Sequence, residues 1–355
     1  LGKMTMNRIY TAARKLITGF ALVLVAASFV HAAPSKIAPG RILVKAAAGL
    51  SQEKLDKILE KSNGKTLRKL RGSEVRVVQV PEKAEAAIAR ALSKHKSIAF
   101  AEPDMLVEPV AVVNDPDYGR QWHLPLIGAP SAWQYGDGTG VIVAVLDTGV
   151  YPNHPDLSGR VLSGWNTVSN NSDTADINNH GTWVAGVVAA KANNSIGGAS
   201  TAPGAKILPI RITNSTDGWA YFSDMVEGII WAADHGARVA NLSYGGAAGS
   251  QAVADAASYM MSKGGVVVVA AGNDNTDYGY ENYPSLFVAG ATTSSDVKAS
   301  YSSHGAFVDI AAPGSGIYTT NRSGTYSTVQ GTSFASPNAA AVAALVMAAN
   351  PALNP

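Results

Sequence analysis

Five short runs of apolar, mostly β-branched residues recur in the later part of the chain, at residues 141–146, 207–212, 239–242, 266–271 and 287–291. They are apolar without alternation, the pattern of strands buried on both faces of a parallel sheet. Between them lie amphipathic stretches at 181–192, 223–235 and 252–263 with helical spacing. Strands alternating with helices predict an α/β fold: a doubly wound, mostly parallel sheet flanked by helices.

A smaller pattern precedes it. Residues 41–44 read as a strand, and Ser51 is placed to cap a helix carrying Leu55, Ile58 and Leu59 on one face. Residues 74–80 alternate as a strand. Residues 83–95 form a second helix with Ala84, Ile88, Ala91 and Leu92 as its stripe, and 98–100 form another strand. The order β-α-β-α-β predicts a small α+β, ferredoxin-like sheet of the split βαβ kind. Residues 109–114 have no pattern and read as a linker. At the start, Lys3, Arg8, Arg14 and Lys15 precede an uncharged apolar run at 16–30 and small residues ending at Ala32. That is the plan of a secretory signal cut after Ala32, and the run is short for a membrane span, so no stable anchor is expected. The expected divisions are 1–32, 33–111 and 112–355.

Composition narrows the chemistry. Apolar residues make up 46% of the 355 and charged residues 15%, enough for a large core. Cysteine is absent, which excludes a disulfide scaffold, a Cys-ligated metal and a Cys nucleophile. The net charge of +2 divides into +4 over residues 1–32, +6 over 33–111 and −8 over 112–355. A basic segment followed by an acidic domain suggests two parts that attract. The acidic balance of the large part speaks against nucleic-acid binding there.

Four short motifs carry candidate chemistry. The first apolar run ends in Asp147-Thr148-Gly149, and functional groups of such sheets gather at carboxyl ends of strands. His180 opens a run of small and apolar residues. Asn273 follows the run at 266–271. Ser333 sits near the start of an Ala-rich helical stretch. Singly, each has a plain reading as a turn carboxylate, a capping histidine, a turn Asn or a Ser N-cap. Together they are the parts that acyl transfer needs: a hydroxyl nucleophile, a base to take its proton, a carboxylate to orient the base, and an amide donor for the oxyanion. The Gly-rich stretch at 136–140 is no dinucleotide loop, because it precedes the strand instead of following it.

The motifs VAVLDTGV around Asp147, NNHGTWVAG around His180, AAGN ending at Asn273 and GTSFASP around Ser333 resemble, in that order, those of the subtilisin family (subtilases) of secreted serine endopeptidases. The resemblance runs over residues 36–355. It implies Ser333 as nucleophile, His180 as general base and then acid, Asp147 as orienting carboxylate and Asn273 as oxyanion donor. It implies protein or peptide substrates whose extended backbone pairs with an edge formed by Ser243, Tyr244 and Gly245. Ala270, Ala271 and Gly272 would line the S1 pocket, and their lack of charge implies an apolar or broad P1 preference. Phe222 and Met225, with Tyr244, resemble the S4 wall. Tyr283-Pro284 resembles the family's Tyr-Pro, often cis. A structural Ca²⁺ is implied at Asp115, Asp156, Asn194 and the Ile196 carbonyl, hard oxygen ligands from separated segments. The basic segment resembles the inhibitor-like prosegment of a zymogen, acting as folding aid and inhibitor and cut away between Glu108 and Asn114. A monomer is expected.

Two positions depart from the family pattern: Trp183 replaces a second His, and Asn338-Ala339 replaces His-Val, with altered packing as the expected result. The chain ends 22 residues after Ser333, where members continue with further strand and helix, so the domain is expected to be truncated or the sequence incomplete. A catalytically silent subtilase-like binder is the competing reading, and the intact set Asp147, His180, Asn273 and Ser333 argues against it.

Overall fold

The computed structural model describes residues 36–106 and 113–354, which form two units. The signal segment, the expected prosegment cut and most of the linker lie outside the described residues.

The smaller unit contains β1 (Lys36–Ala46), α1 (Gln52–Glu60), β2 (Lys65–Lys69), β3 (Val75–Gln79), α2 (Glu85–Ser93) and β4 (Ile98–Leu106). Its strands form one antiparallel sheet in the order β2-β3-β1-β4. The element order is therefore β-α-β-β-α-β, the ferredoxin-like plan, with one strand more than the sequence pattern predicts. The extra strand is β2, Lys-Thr-Leu-Arg-Lys, whose one large apolar side chain, Leu67, is exposed. A charged edge strand carries no hydrophobic signal, and its charge guards the open edge against further pairing. Ser51 caps α1 by accepting the Lys54 N–H, and Leu55 and Leu59 pack with Ile42, Val44 and Val78. On α2 the buried residues are Glu85, Ala89 and Leu92; of the expected stripe, Leu92 is buried and Ile88 packs against the core, whereas Ala91 is exposed. The Glu85 carboxylate accepts the Gly40 N–H at 2.6 Å, which explains a buried charge on that face.

In the larger unit, two single-turn helices lead into β5 (Ile142–Asp147), β6 (Trp165–Asn166), α3 (His180–Ala189), β7 (Lys206–Arg211), α4 (Phe222–Asp234), β8 (Val239–Leu242), α5 (Gln251–Ser262), β9 (Val266–Ala270), β10 (Leu286–Thr292), β11 (Ile310–Pro313), β12 (Ile317–Thr320), β13 (Tyr326–Val329) and α6 (Thr332–Ala349). Seven strands form a parallel sheet in the order β11-β10-β9-β8-β5-β7-β6. The five apolar runs supply β5, β7, β8, β9 and β10. The two-residue β6, the edge strand β11 and the antiparallel β12–β13 hairpin were not legible in the pattern.

The sheet is buried on both faces. On β5, Val143 and Val145 point into one core with α3 and α6, while Ala144 and Leu146 point into the other with α4 and α5. This is the period of two that a strand imposes. Helix α3 is apolar on nearly every side because it is buried between the sheet and its neighbours. Its Gly181 allows that approach: a Cβ there would lie 2.0 Å from the Gly149 carbonyl oxygen. The backbone after β5 and the first turn of α3 are thus brought into direct contact.

Candidate active site

β5 marks the place where the chain changes direction across the sheet, with β7 on one side and β8 on the other. Crevices outside the carboxyl ends of strands at such a point are the usual ligand sites of open α/β sheets. Asp147 ends β5, Ser243 follows β8, and Asn273 lies just past β9. α3 brings His180 to the same end, and α6 brings Ser333. A cleft of about 580 Å³ there is lined by His180, Ser333, Asn273, Ser243, Tyr244 and Gly245, with Phe222 and Met225 further along.

Asp147 is fully buried, and its two oxygens lie 2.8 and 2.9 Å from His180 Nδ1. The Thr148 N–H also donates to Asp147 Oδ1, at 2.7 Å. Burial disfavours the His180 imidazolium, but the Asp147 charge, its hydrogen bond and the nearby Asp176 outweigh this, so the pKa is raised above 6.5. The ring is held by Phe334, Trp183 and Tyr244 at centroid distances of 5.9, 6.3 and 6.4 Å. Trp183, at the departure from the family pattern, thus packs against both His180 and Phe334.

Ser333 stands in the first turn of α6, where backbone N–H groups lack in-helix partners. Its hydroxyl donates to the Ser243 carbonyl at 3.2 Å. Asn273 Oδ1 accepts both the N–H and the hydroxyl of Thr332, at 2.8 and 2.9 Å. That fixes the amide and leaves Nδ2 as its donor end, with no acceptor among the described residues. Asn338, the other departure, is buried with its amide satisfied by Thr201, Pro313 and Phe334.

The residues expected in S1 lie directly behind the cleft residue Gly245. Ala270 and Ala271 are buried, and Gly272 backs onto Gly245. A Cβ on Gly245 would lie 2.5 Å from Gly272 Cα, so the two segments touch through bare backbone. Tyr283–Pro284 is trans, like every described peptide bond. This is the isomer an X–Pro bond prefers when nothing forces the other. Five cleft residues carried no signal in the sequence: Asp217, Gly218, Trp219, Ala220 and Ala247. Asn178 and Tyr244 each tie the loop after β7 to the catalytic side, through the Thr216 and Gly218 carbonyls at 2.7 and 2.8 Å.

The expected metal ligands converge on the loop at 193–197. Asp115 accepts the N–H groups of Asn193, Asn194 and Ser195 at 2.7, 2.9 and 3.1 Å. Asp156 accepts Asn194 Nδ2 and the Tyr326 hydroxyl, both at 2.8 Å, and the Gly198 N–H at 3.3 Å. Asn194 Oδ1 accepts the Ile196 N–H. No group of three His, Cys, Asp or Glu side chains able to hold a metal occurs among the described residues. The donor set nonetheless suits a hard cation. Asp156 is fully buried with no ion-pair partner among the described residues, and burial pushes its pKa up. Each carboxylate, with about four acceptor positions, keeps one spare.

With this geometry in hand, comparison with known proteins is decisive. The profile of the subtilase family matches residues 138–355, and that of the fervidolysin N-terminal prodomain matches residues 25–104. The chain belongs to the subtilase family. Thermitase of Thermoactinomyces vulgaris is 46% identical over 236 residues, which cover 66% of this chain and 84% of that protein. An extracellular protease of Xanthomonas campestris is 34% identical over 336 residues, covering 79% of this chain and 57% of the relative. A solved protease structure from Pseudoalteromonas arctica superposes with a TM-score of 0.64 at 33% identity, covering 69% of this chain and 89% of that one. This subtilase is a serine peptidase with an N-terminal prodomain.

Proposed function

We propose that this subtilase cleaves peptide bonds through Ser333, His180 and Asp147, with Asn273 as oxyanion donor. The observation that carries the reading is His180 Nδ1 held at 2.8 and 2.9 Å between both oxygens of a buried Asp147, in a cleft that Ser333 and Asn273 also line. Asp147 fixes the tautomer that leaves Nε2 as base. Ser333 Oγ, released from the Ser243 carbonyl, gives its proton to Nε2 and attacks the scissile carbonyl. The oxyanion is met by Asn273 Nδ2 and the Ser333 N–H. His180 then returns the proton to the leaving amine, and water repeats the cycle on the acyl-enzyme.

The cleft supports the finer expectations. Ser243, Tyr244 and Gly245 offer the edge for extended substrate, and Phe222 and Met225 an apolar S4 wall. We assign a broad or apolar P1 preference, because Ala270, Ala271 and Gly272 carry no charge. The basic small unit serves as intramolecular folding aid and inhibitor, in keeping with the opposite charges of the two parts. Secretion is supported by the signal pattern at the start and by the extracellular relative. Asp156, Asn194 and the Ile196 carbonyl, with the spare position of Asp115, would hold Ca²⁺, which would supply charge neutralisation in the loop and no step of the chemistry.

A fluorophosphonate probe tests the catalytic assignment. Purified precursor should be labelled once per chain, lose its prosegment and hydrolyse casein, while Ser333→Ala should do none of these. Folded precursor that stays unlabelled would support the silent-binder reading instead.

A further inference from the structure

Asp176 precedes His180 by four residues and has no part in the proton transfers above. Its carboxylate is nevertheless the most heavily engaged group around them. Oδ1 accepts the Thr148 hydroxyl at 2.8 Å and the N–H groups of Asn178 and Asn179 at 3.0 and 3.1 Å. Oδ2 accepts the Thr182 N–H at 3.0 Å and the Thr182 hydroxyl. Thr148 is the residue after Asp147. Besides donating to Asp176, its hydroxyl accepts the Gly181 N–H at 3.0 Å, and its own N–H reaches Asp147.

These bonds close a ring. Asp147 is bonded to Thr148, Thr148 to Asp176, Asp176 to residues on both sides of His180, and His180 back to Asp147. Two elements distant in sequence, the end of β5 and the start of α3, are joined through one half-buried carboxylate. A simple helix cap would satisfy the first N–H groups of α3 alone. Asn179, at the N-cap position, makes no such side-chain bond, and Asp176 reaches past the helix to Thr148.

We propose that Asp176 is a second, positioning carboxylate of this protease: it clamps Thr148 to the turn at 178–182 and holds Asp147 and His180 in register. The inference rests on the catalytic reading given above. The groups facing His180 are Asp147 from β5, Asp176 from the preceding loop, the Tyr244 phenol from the segment after β8 and the Ser333 hydroxyl from α6. Asp217 lies across the cleft. The Arg322 guanidinium stands behind Asp176, donating to its backbone carbonyl at 3.1 Å. Of these, Asp147 and Asp176 are the anions that raise His180. A positioning carboxylate should act on the chemical step and leave substrate affinity largely alone.

The test compares the mature wild type with Asp176→Asn, which keeps the size but removes the charge, and Thr148→Val, which keeps the charge but cuts the tether. Active sites are counted with the fluorophosphonate, and His180 is titrated by NMR. For Asp176→Asn we expect kcat about tenfold lower with KM within about twofold. The His180 titration and the acid limb of kcat/KM should both move to lower pH. For Thr148→Val we expect kcat lowered with the His180 titration in place. Wild-type kcat per labelled site together with an unmoved titration in Asp176→Asn would overturn the proposal. If that variant does not fold, an unchanged kcat in Thr148→Val would overturn it. A titration that moves in Asp176→Asn while the wild type fails to label would sink the catalytic reading and leave the clamp standing.

Discussion

The Ser243 hydroxyl donates to the Ser333 backbone carbonyl at 2.9 Å, a carbonyl that Pro337 has set free. In a regular helix the Ser333 carbonyl would accept the N–H four residues on, and proline has none. The internal proline of α6 thus exposes one acceptor on Ser333, and the strand-end serine supplies its donor. Ser333 Oγ answers by donating to the Ser243 carbonyl. Ser243→Ala leaves the freed carbonyl without this donor. We expect a stability loss of about 1 kcal/mol and a several-fold fall in kcat, read by thermal melts and by kinetics on a tetrapeptide anilide.

Asn273 offers a sharper test, because its amide is already fixed by Thr332. Asn273→Leu should keep KM near the wild type and lower kcat about 10²–10³-fold, the size known for a subtilisin oxyanion donor. A loss appearing mainly in KM would remove Asn273 from that role.

The base must be neutral to act, so activity should fall with acid through the raised His180 value. The acid limb of kcat/KM is expected above pH 6.5. The linked stability runs the other way. A raised folded pKa adds stability that is fully present below the unfolded value and is lost as pH rises through the folded one. A limb well below pH 6.5 would contradict both.

His123 provides the opposite case. It is buried, its Nδ1 has no partner among the described residues, and burial pulls it down to about 4. Below pH 6.5 the unfolded chain binds a proton that the folded chain refuses. Stability should therefore fall between pH 6.5 and about 4, by about 3 kcal/mol in all. His123→Leu should flatten that slope in urea titrations at several pH values.

Calcium should raise the melting temperature of the mature protein by several degrees at millimolar concentration, as mass action requires of a ligand of the folded state. Asp156→Asn should abolish the rise. A melting curve indifferent to Ca²⁺ and to chelator would remove the site.

The sequence was most informative where burial leaves a pattern. The runs that became β5, β7, β8, β9 and β10 are apolar because helices cover both faces of the sheet. β2 escaped notice because an exposed edge strand of Lys, Thr, Leu and Arg has nothing to bury. Asp147 and His180 were legible from their motifs, and the structure sets them 2.8 Å apart. Asp176 was not, because an aspartate in a polar loop looks like any turn residue until its five donors are seen in space. Ala270 and Ala271 show the converse. A motif marks a segment but does not say how deeply its side chains are buried, and here both residues are buried.

Asp147, His180, Asn273 and Ser333 come from four segments, and the last of them belongs to the final helix of the sheet. A chain made from its N-terminus presents the proposed orienting acid, Asp147, first and the proposed nucleophile, Ser333, after the other three. The parallel sheet that brings them together must close over long stretches of sequence, which is slow. On the proposed assignment, cutting power is thus withheld until Ser333 and the strands that precede it have been made and folded. The order of the motifs along the chain works as a timer, protecting the nascent polypeptide and its surroundings from the enzyme it will become.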